Sequence, residues 1–388
     1  MAQNPNTSLR IAIAALVLAT GLLLSFGLVM VYSATTVQWG VYYLTRQLMW
    51  ALLGVGACVI AATLDYSLLK KLAWLLFVVA VVFLVLVLCS PLGIERNHAR
   101  RWFGYGNTSL FQPSELAKPA LIVLLAWYGD RFQRHLTSFR RGLVVPGLLI
   151  GLVAGLVFVE PDFGTGILIG TIGCAMLIVA GVRLRQIVPV ALCALVGLGA
   201  FMVHNPKCVD RIVHGWLDQE KNKEGPAYQA YQAKLAIGSG GWKGLGIGNG
   251  VHKLGFVPEA HTDFIFSAIG EETGLIGTMG VVAVFVVLVM SGVVTARFAQ
   301  DTFGMLLAFG ITFWIGLQAV INIGVVTSAL PNKGLPLPFI SYGGSNLVVS
   351  LGSVGVLLSI GLRALRRQVV PVEEVEPDEI AEPEPARC

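Results

Sequence analysis

The sequence predicts an all-α polytopic membrane protein: ten transmembrane helices with a large structured outer loop between spans seven and eight. Three observations carry that reading. Of the 388 residues, 55% are hydrophobic and only 13% charged, against about 25% charged in soluble chains. Mean hydropathy is +0.76. Apolar runs long enough to approach the roughly 20 residues of a membrane helix recur along the chain. The charge deficit excludes an ordinary cytosolic enzyme, a disordered chain and a nucleic-acid binder.

Polar residues 1–10 form an N-terminal segment ahead of the first run, Ile11 to Ser33, which is too long for a signal-peptide core and lacks a clear small-residue cleavage site. It reads as a retained span. Further runs lie near 46–64, 72–93, 113–128, 143–159, 165–182, 187–204, 264–295, 302–328 and 346–365, so the membrane domain covers 11–365. An even number of spans puts both termini on one side. Arg10, Lys70, Lys71, Arg131, Arg134, Arg140, Arg141, Arg183, Arg185, Arg297, Arg363, Arg366 and Arg367 fall on the terminal side. The short loops opposite offer only Arg46, Arg96, Arg100, Arg101 and Lys333. The positive-inside rule then makes both termini cytoplasmic.

The outer segment 205–263 is too long for a simple connector. Val209, Ile212, Val213, Trp216 and Leu217 recur at helical spacing, as expected of an amphipathic helix lying along the interface. A second helical stretch, Pro226 to Ile237, ends at Gly238, and the glycine-rich Gly238 to Gly250 reads as a loop or a close backbone approach. Seven of the 22 acidic residues crowd into the tail 366–388, which also holds four prolines and reads as a disordered cytoplasmic extension. The body is therefore more basic than the net charge of +5 suggests, which suits anionic lipid head groups or an anionic substrate. The six cysteines show neither metal-ligand spacing nor a disulfide framework.

In so apolar a chain the informative residues are ionisable ones at membrane depth. Glu115 and Lys118, three apart at the start of span four, share a helical face; they are a structural ion pair or part of a site. Upstream, Arg101 and Trp102 stand in a cationic, aromatic outer loop, where Trp also serves as an interfacial anchor. Asp263 ends the stretch Pro258-Glu259-Ala260-His261-Thr262-Asp263 and meets Phe264-Ile265-Phe266 directly, at the mouth of span eight. It is either a helix cap or a carboxylate desolvated enough to act as a general base. Glu271 and Glu272 follow about two turns deeper, as a structural pairing, for instance with Lys118, or as part of a site. Glu160 and Asp162 bracket Pro161 at the turn between spans five and six, either as exposed turn residues or as site residues. Pro331, Pro336 and Pro338 prevent a continuous helix before Gly343-Gly344-Ser345. Such irregular backbone near membrane depth reads as a cavity wall, with Lys333 placed to meet an anion. Gly244, Gly246, Gly248 and Gly250 lack the lysine-serine and the strand-helix context of a nucleotide loop.

Taken together these residues resemble the SEDS family (shape, elongation, division and sporulation) of peptidoglycan glycosyltransferases. The matching stretches are Arg101-Trp102, Phe111-Gln112-Pro113-Ser114-Glu115-Leu116-Ala117-Lys118, Glu160 to Thr165, Tyr231-Gln232, Ala236 to Gly241 including Ser239, Pro258 to Phe266 with Gly270-Glu271-Glu272, and Lys333 to Ser345 including Ser341. The Pro258 to Asp263 and Ile269 to Glu272 stretches are more similar to the division-type, FtsW-like branch than to the RodA-like branch. Asn332 stands where the family commonly has Thr, Asn346 where it often has Ser, and Glu220 to Pro226 departs from the usual loop.

The resemblance implies polymerisation of lipid II at the outer face of the cytoplasmic membrane, at the division septum. It implies Asp263 as catalytic base, with Arg101, Trp102, Gln112, Ser114, Glu115, Lys118, Asp162, Tyr231, Gln232, Ser239, His261, Thr262, Glu272, Lys333, Ser341 and Ser345 around substrate or cavity. Arg101, Lys118 and Lys333 would meet the leaving diphosphate, with or without a divalent cation such as Mg2+ or Mn2+. The implied partners are a class B penicillin-binding protein transpeptidase and other divisome proteins. Two rival readings stay open: a lipid II flippase needs the same anion-tolerant cavity, and a noncatalytic scaffold for a transpeptidase would tolerate loss of Asp263.

Overall fold

The structure is a computed structural model describing residues 5–90, 93–96, 99–105, 108–204, 209–210, 213–217, 221, 225, 227–252, 255, 257 and 260–369. Eleven long helices account for most of them: α1 Pro5–Trp39, α2 Tyr42–Thr63, α3 Tyr66–Cys89, α4 Pro113–Arg131, α5 Val145–Val159, α6 Phe163–Ala180, α7 Leu184–His204, α8 Tyr228–Gly240, α9 Ile265–Arg297, α10 Thr302–Val326 and α11 Gly344–Val369. Among the described residues, eight are long and apolar enough to cross a membrane, one of them counted from Phe139 through α5. Helices α4 and α7 also occupy expected spans. The first carries Glu115, Lys118, Asp130 and Arg131, and the second is uncharged and largely apolar from Ile187 to Val203.

The all-α expectation needs one correction. The connector between α3 and α4 is a three-stranded antiparallel sheet, β1 Gly93–Arg96, β2 Ala99–Tyr105 and β3 Thr108–Phe111, in the order β1-β2-β3. Its short strands give little periodicity, but aromatic burial explains them. Phe103 of β2 lies opposite Phe111 of β3, and both rings pack edge-on against Phe83 of α3, at 6.2 and 6.0 Å.

In the loop 205–263, Val213–Leu217 forms a single π-helical turn, and the Trp216 indole N–H donates to the Ser328 carbonyl at 2.9 Å. The helix after it is α8, about two residues displaced from expectation. Ile212, Glu220, Pro226, Pro258, Glu259 and the tail beyond Val369 lie outside the described residues.

Helix α4 is the centre of the bundle. It packs against α3, α5, α6, α10 and α11, and Ala117, Leu121, Ile122, Leu124 and Ala126 are all buried. Pro113 opens it at a position where a missing N–H costs nothing. Protein rather than lipid therefore surrounds its first turn, which is what makes two charges there tolerable.

Helix α9 is interrupted at Gly274 (φ 67°, ψ −164°). Two bonds of its i→i−4 ladder are replaced by the glycine-rich loop. Leu275 N–H donates to Gly241 O (2.9 Å) and Ile276 N–H to Trp242 O (3.2 Å), while Glu271 O accepts from Leu245 N–H (3.0 Å) and Glu272 O from Gly246 N–H (2.9 Å). The loop is spliced into the helix. A Cβ on Gly274 would collide with the backbone of Trp242 and Gly244, and one on Gly244 with the Glu272 carbonyl, so the glycines permit this approach.

Candidate active site

The first turn of α4 supplies a buried ion pair. Glu115 and Lys118 meet at 2.8 Å with side chains 3% and 0% exposed. Lys118 also donates to Gln318 Oε1 (3.0 Å) and lies 5.0 Å above the Trp314 ring. Glu115 accepts from the Asn346 amide at 2.8 Å. The pair is thus held on both sides, by α10 and α11, and Asn346 acts at one of the positions where the sequence departs from the family.

Beside it, Gln112 N–H donates to the Ser345 hydroxyl (3.1 Å), and the Gln112 amide donates to Ser114 Oγ (3.0 Å) and, at the limit of reach, Asp162 Oδ2 (3.5 Å). Asp162 caps α6, accepting from Thr165 N–H (3.2 Å) and Thr165 Oγ1–H (2.9 Å). Gln112, Ser114, Glu115, Lys118, Asp162, Ser341 and Ser345 are all buried. One polar layer therefore joins the starts of α4, α6 and α11.

The segment 327–343 between α10 and α11 has no helix, yet Leu335, Leu337, Phe339 and Ile340 are buried. Its backbone is satisfied by side chains: the Gln318 amide donates to Pro336 O (2.9 Å), Gln47 to Ser341 O (3.2 Å), and Leu337 N–H donates to Ser341 Oγ (2.8 Å). This meets the requirement that irregular backbone at membrane depth be enclosed by protein. Lys333 lies in it beside the start of α6, since a Cβ on Gly164 would stand 3.6 Å from that of Lys333.

Asp263 sits just ahead of α9, half-buried, with its carboxylate packed on Gly334 so closely that a Cβ there would overlap it. Its carbonyl accepts from the Asn322 amide (2.8 Å), which also donates to Leu335 O (2.6 Å). His261 is fixed from the other side: its carbonyl accepts from Tyr342 N–H (2.9 Å), and its ring lies 4.7 Å from Tyr43 and 5.8 Å from Tyr342. The structure thus brings Asp263 and His261 against the Lys333 to Ser345 segment, with Thr262 between them in the chain.

Other predicted residues fall elsewhere. Arg101, on β2, donates through Nε to the Glu160 carbonyl (2.8 Å) and through a terminal nitrogen to the Pro161 carbonyl, clamping the α5–α6 turn. Trp102 is half-buried, opposite Ile94. Tyr231 and Gln232 are half-buried on α8, whereas Ser239 is exposed and bonds its own helix at Ala236 O (2.8 Å). Glu272 accepts from Ser33 Oγ of α1 (2.7 Å) and Gly248 N–H (3.0 Å). Glu271 accepts from Val251 N–H (2.7 Å), with His252 Nδ1 at 3.0 Å. Both glutamates hold the glycine-rich loop, and Lys118 pairs with Glu115 instead.

Glu160 and Asp162 are buried, not exposed turn residues. Among the described residues neither carboxylate oxygen of Glu160 has a hydrogen-bond partner, and burial first, then the Asp162 charge, opposed by Arg101, pushes its pKa up to about 8. The residues the sequence reading missed are Trp314, Gln318 and Asn322. They recur at i, i+4 and i+8 in an otherwise apolar span, a polar stripe that was there to be read.

Among the described residues no three His, Cys, Asp or Glu side chains gather as metal ligands.

Residues 7–364 match the family of FtsW, RodA and SpoVE, described as cell cycle proteins. The chain belongs to that family. Among similar FtsW/RodA/SpoVE proteins, the probable peptidoglycan glycosyltransferase FtsW of Geobacter metallireducens is 40% identical over 87% of this chain and 91% of its own. The Coxiella burnetii protein of the same name is 38% identical over 89% and 95%. These relatives agree with the division-type resemblance. A chain from a solved structure titled as the structural coordination of polymerization and crosslinking by a peptidoglycan synthase complex superposes with a TM-score of 0.77, at 28% identity over 90% of this chain and 97% of that one. RodA of Thermus thermophilus superposes at 0.64, with 28% identity over 90% and 96%.

Proposed function

We propose that this chain is a division-type peptidoglycan glycosyltransferase that polymerises lipid II at the outer face of the cytoplasmic membrane, at the septum. Family membership along nearly the whole chain supports the activity. The observation that carries the mechanism is the seat of Asp263: a half-buried carboxylate just ahead of α9, pressed on Gly334 of an enclosed prolyl segment next to Lys333. In this reading Asp263 takes the proton from the acceptor sugar hydroxyl as that oxygen bonds to the anomeric carbon of the growing chain. The bond from that carbon to the diphosphate breaks, and the lipid diphosphate leaves with the electron pair. One displacement inverts an α-linked donor into a β-linked glycan. Lys333 faces the departing charge, while Lys118, already held by Glu115, sets the potential behind it.

The topology belonging to this reading has ten spans, with α4 and α7 completing the eight strongly apolar helices, and both termini cytoplasmic. A class B penicillin-binding protein is the partner that would cross-link the strands.

Purified wild-type and Asp263→Asn proteins, each with the partner transpeptidase, should be given lipid II and the products resolved by length. Strands from wild type and none from the variant are expected. Equal polymer from both would remove Asp263 as the base, and lipid II scrambling in liposomes without polymer would favour a flippase.

A further inference from the structure

We infer that the glycine-rich loop 241–251 is a membrane-interface anchor, seated at the boundary between head groups and acyl chains at the Asp263 end of the bundle. The inference rests on the membrane character of the helices and on the splice into α9, not on the catalytic reading.

From the Gly274 break to Arg297, α9 is about 35 Å long at 1.5 Å per residue, which fills a hydrocarbon core of roughly 30 Å. The break therefore lies at the edge of the core. Because Leu275 and Ile276 donate to Gly241 and Trp242, the loop is fixed at that same height.

Trp242 is 74% exposed and Ile276, whose N–H it accepts, is 63% exposed. Leu245, Ile247 and Val251 on the loop and Leu275 and Met279 on α9 are exposed as well. The apolar side chains of the loop thus extend the lipid-facing stripe of a membrane helix. Exposed Lys243 stands next to Trp242, the pairing of aromatic body and cation that the interfacial zone favours.

The broken ladder of α9 is re-formed by the loop, and the amides of Gly248, Val251 and His252 are taken by the carboxylates of Glu272 and Glu271. Backbone turned toward the helix is thereby paired, as a segment at the edge of hydrocarbon requires. Anchored this way, the loop fixes how deep the start of α9 sits, and with it Asp263.

The full-length protein in phosphatidylcholine vesicles provides the test. The emission lost on Trp242→Phe isolates Trp242. Lipids brominated near the top of the acyl chain should quench that component by roughly two-fold, lipids brominated near the chain end less, and aqueous iodide hardly at all. Ile247→Trp in the Trp242→Phe background should restore an emission with the same quencher ranking. Strong iodide quenching with no bromolipid effect at both positions would place the loop in water and overturn the inference. Protection from every quencher would mean that protein covers it, and would overturn it equally.

Discussion

The buried amide of Asn322 donates to the main-chain oxygen of Asp263 at 2.8 Å, and through its second contact to Leu335 at 2.6 Å it ties the start of α9 to the prolyl segment. Asn322 is a positioning residue: it holds the backbone of the proposed base without touching its carboxylate. Asn322→Asp loses the donor and sets a carboxylate against two carbonyls. Because misplacement by about 1 Å can cost on the order of a hundred-fold, glycan synthesis should fall by about ten- to a hundred-fold. Lipid II binding should change little, so a split between turnover and affinity in a polymerisation assay checks the role.

The Glu115–Lys118 pair predicts asymmetric effects on stability. Among the described residues Lys118→Met leaves Glu115 buried with the Asn346 amide as its one partner, and loss of one partner of a buried pair costs about 3–5 kcal/mol. Glu115→Gln with Lys118→Met removes both charges and should recover most of the apparent Tm. Polymerisation should stay low in the double variant if the lysine charge serves the leaving diphosphate. Thermal unfolding in detergent and the strand assay, run on the same preparations, separate the two effects.

Glu160 makes a prediction about pH. Its carboxyl is pushed up to about 8 from 4.5, chiefly by burial and then by Asp162, against the opposing Arg101. The folded state therefore binds this proton more tightly than the unfolded chain. Its contribution to stability is complete below about pH 4.5 and is lost as the pH rises toward 8, by on the order of a few kcal/mol. Glu160→Gln, which keeps the shape without the titration, should flatten the fall in apparent Tm between pH 5 and 9. An unchanged slope would show that Glu160 carries none of it.

These residues also mark where sequence reading succeeds and stops. Periodicity and hydropathy located the helices because lipid demands apolar length, and Glu115 and Lys118 were conspicuous because charge at that depth is costly. Asp263 stood out differently, as a carboxylate that meets the apolar run Phe264-Ile265-Phe266 directly at the mouth of a span. What stayed hidden depends on partners distant in sequence: Ser33 meeting Glu272 across 239 residues, Asn346 meeting Glu115 across 231, and the sheet whose strands are fixed by Phe83. Glu160 was hidden differently. A turn between two spans reads as solvent-exposed, and only Arg101 on β2, which clamps that turn, shows it to be roofed.

The splice between the glycine-rich loop and α9 can be tested at the break itself. Gly274, at φ 67° and ψ −164°, occupies a region open essentially to glycine alone, and a Cβ there would strike the backbone of Trp242 and Gly244. Gly274→Ala should either expel the loop or strain the helix, at a cost of about 1–3 kcal/mol. The amides of Leu245, Gly246, Leu275 and Ile276 report the difference, because all four exist as loop-to-helix bonds. Their hydrogen exchange should accelerate by about ten-fold or more, since each 1.4 kcal/mol of local stability corresponds to a factor of ten. If the loop came away while α9 closed into a continuous helix, Leu275 and Ile276 would stay protected and only Leu245 and Gly246 would exchange. That pattern would show that the helix needs no loop to be stable, and that the loop depends on the break.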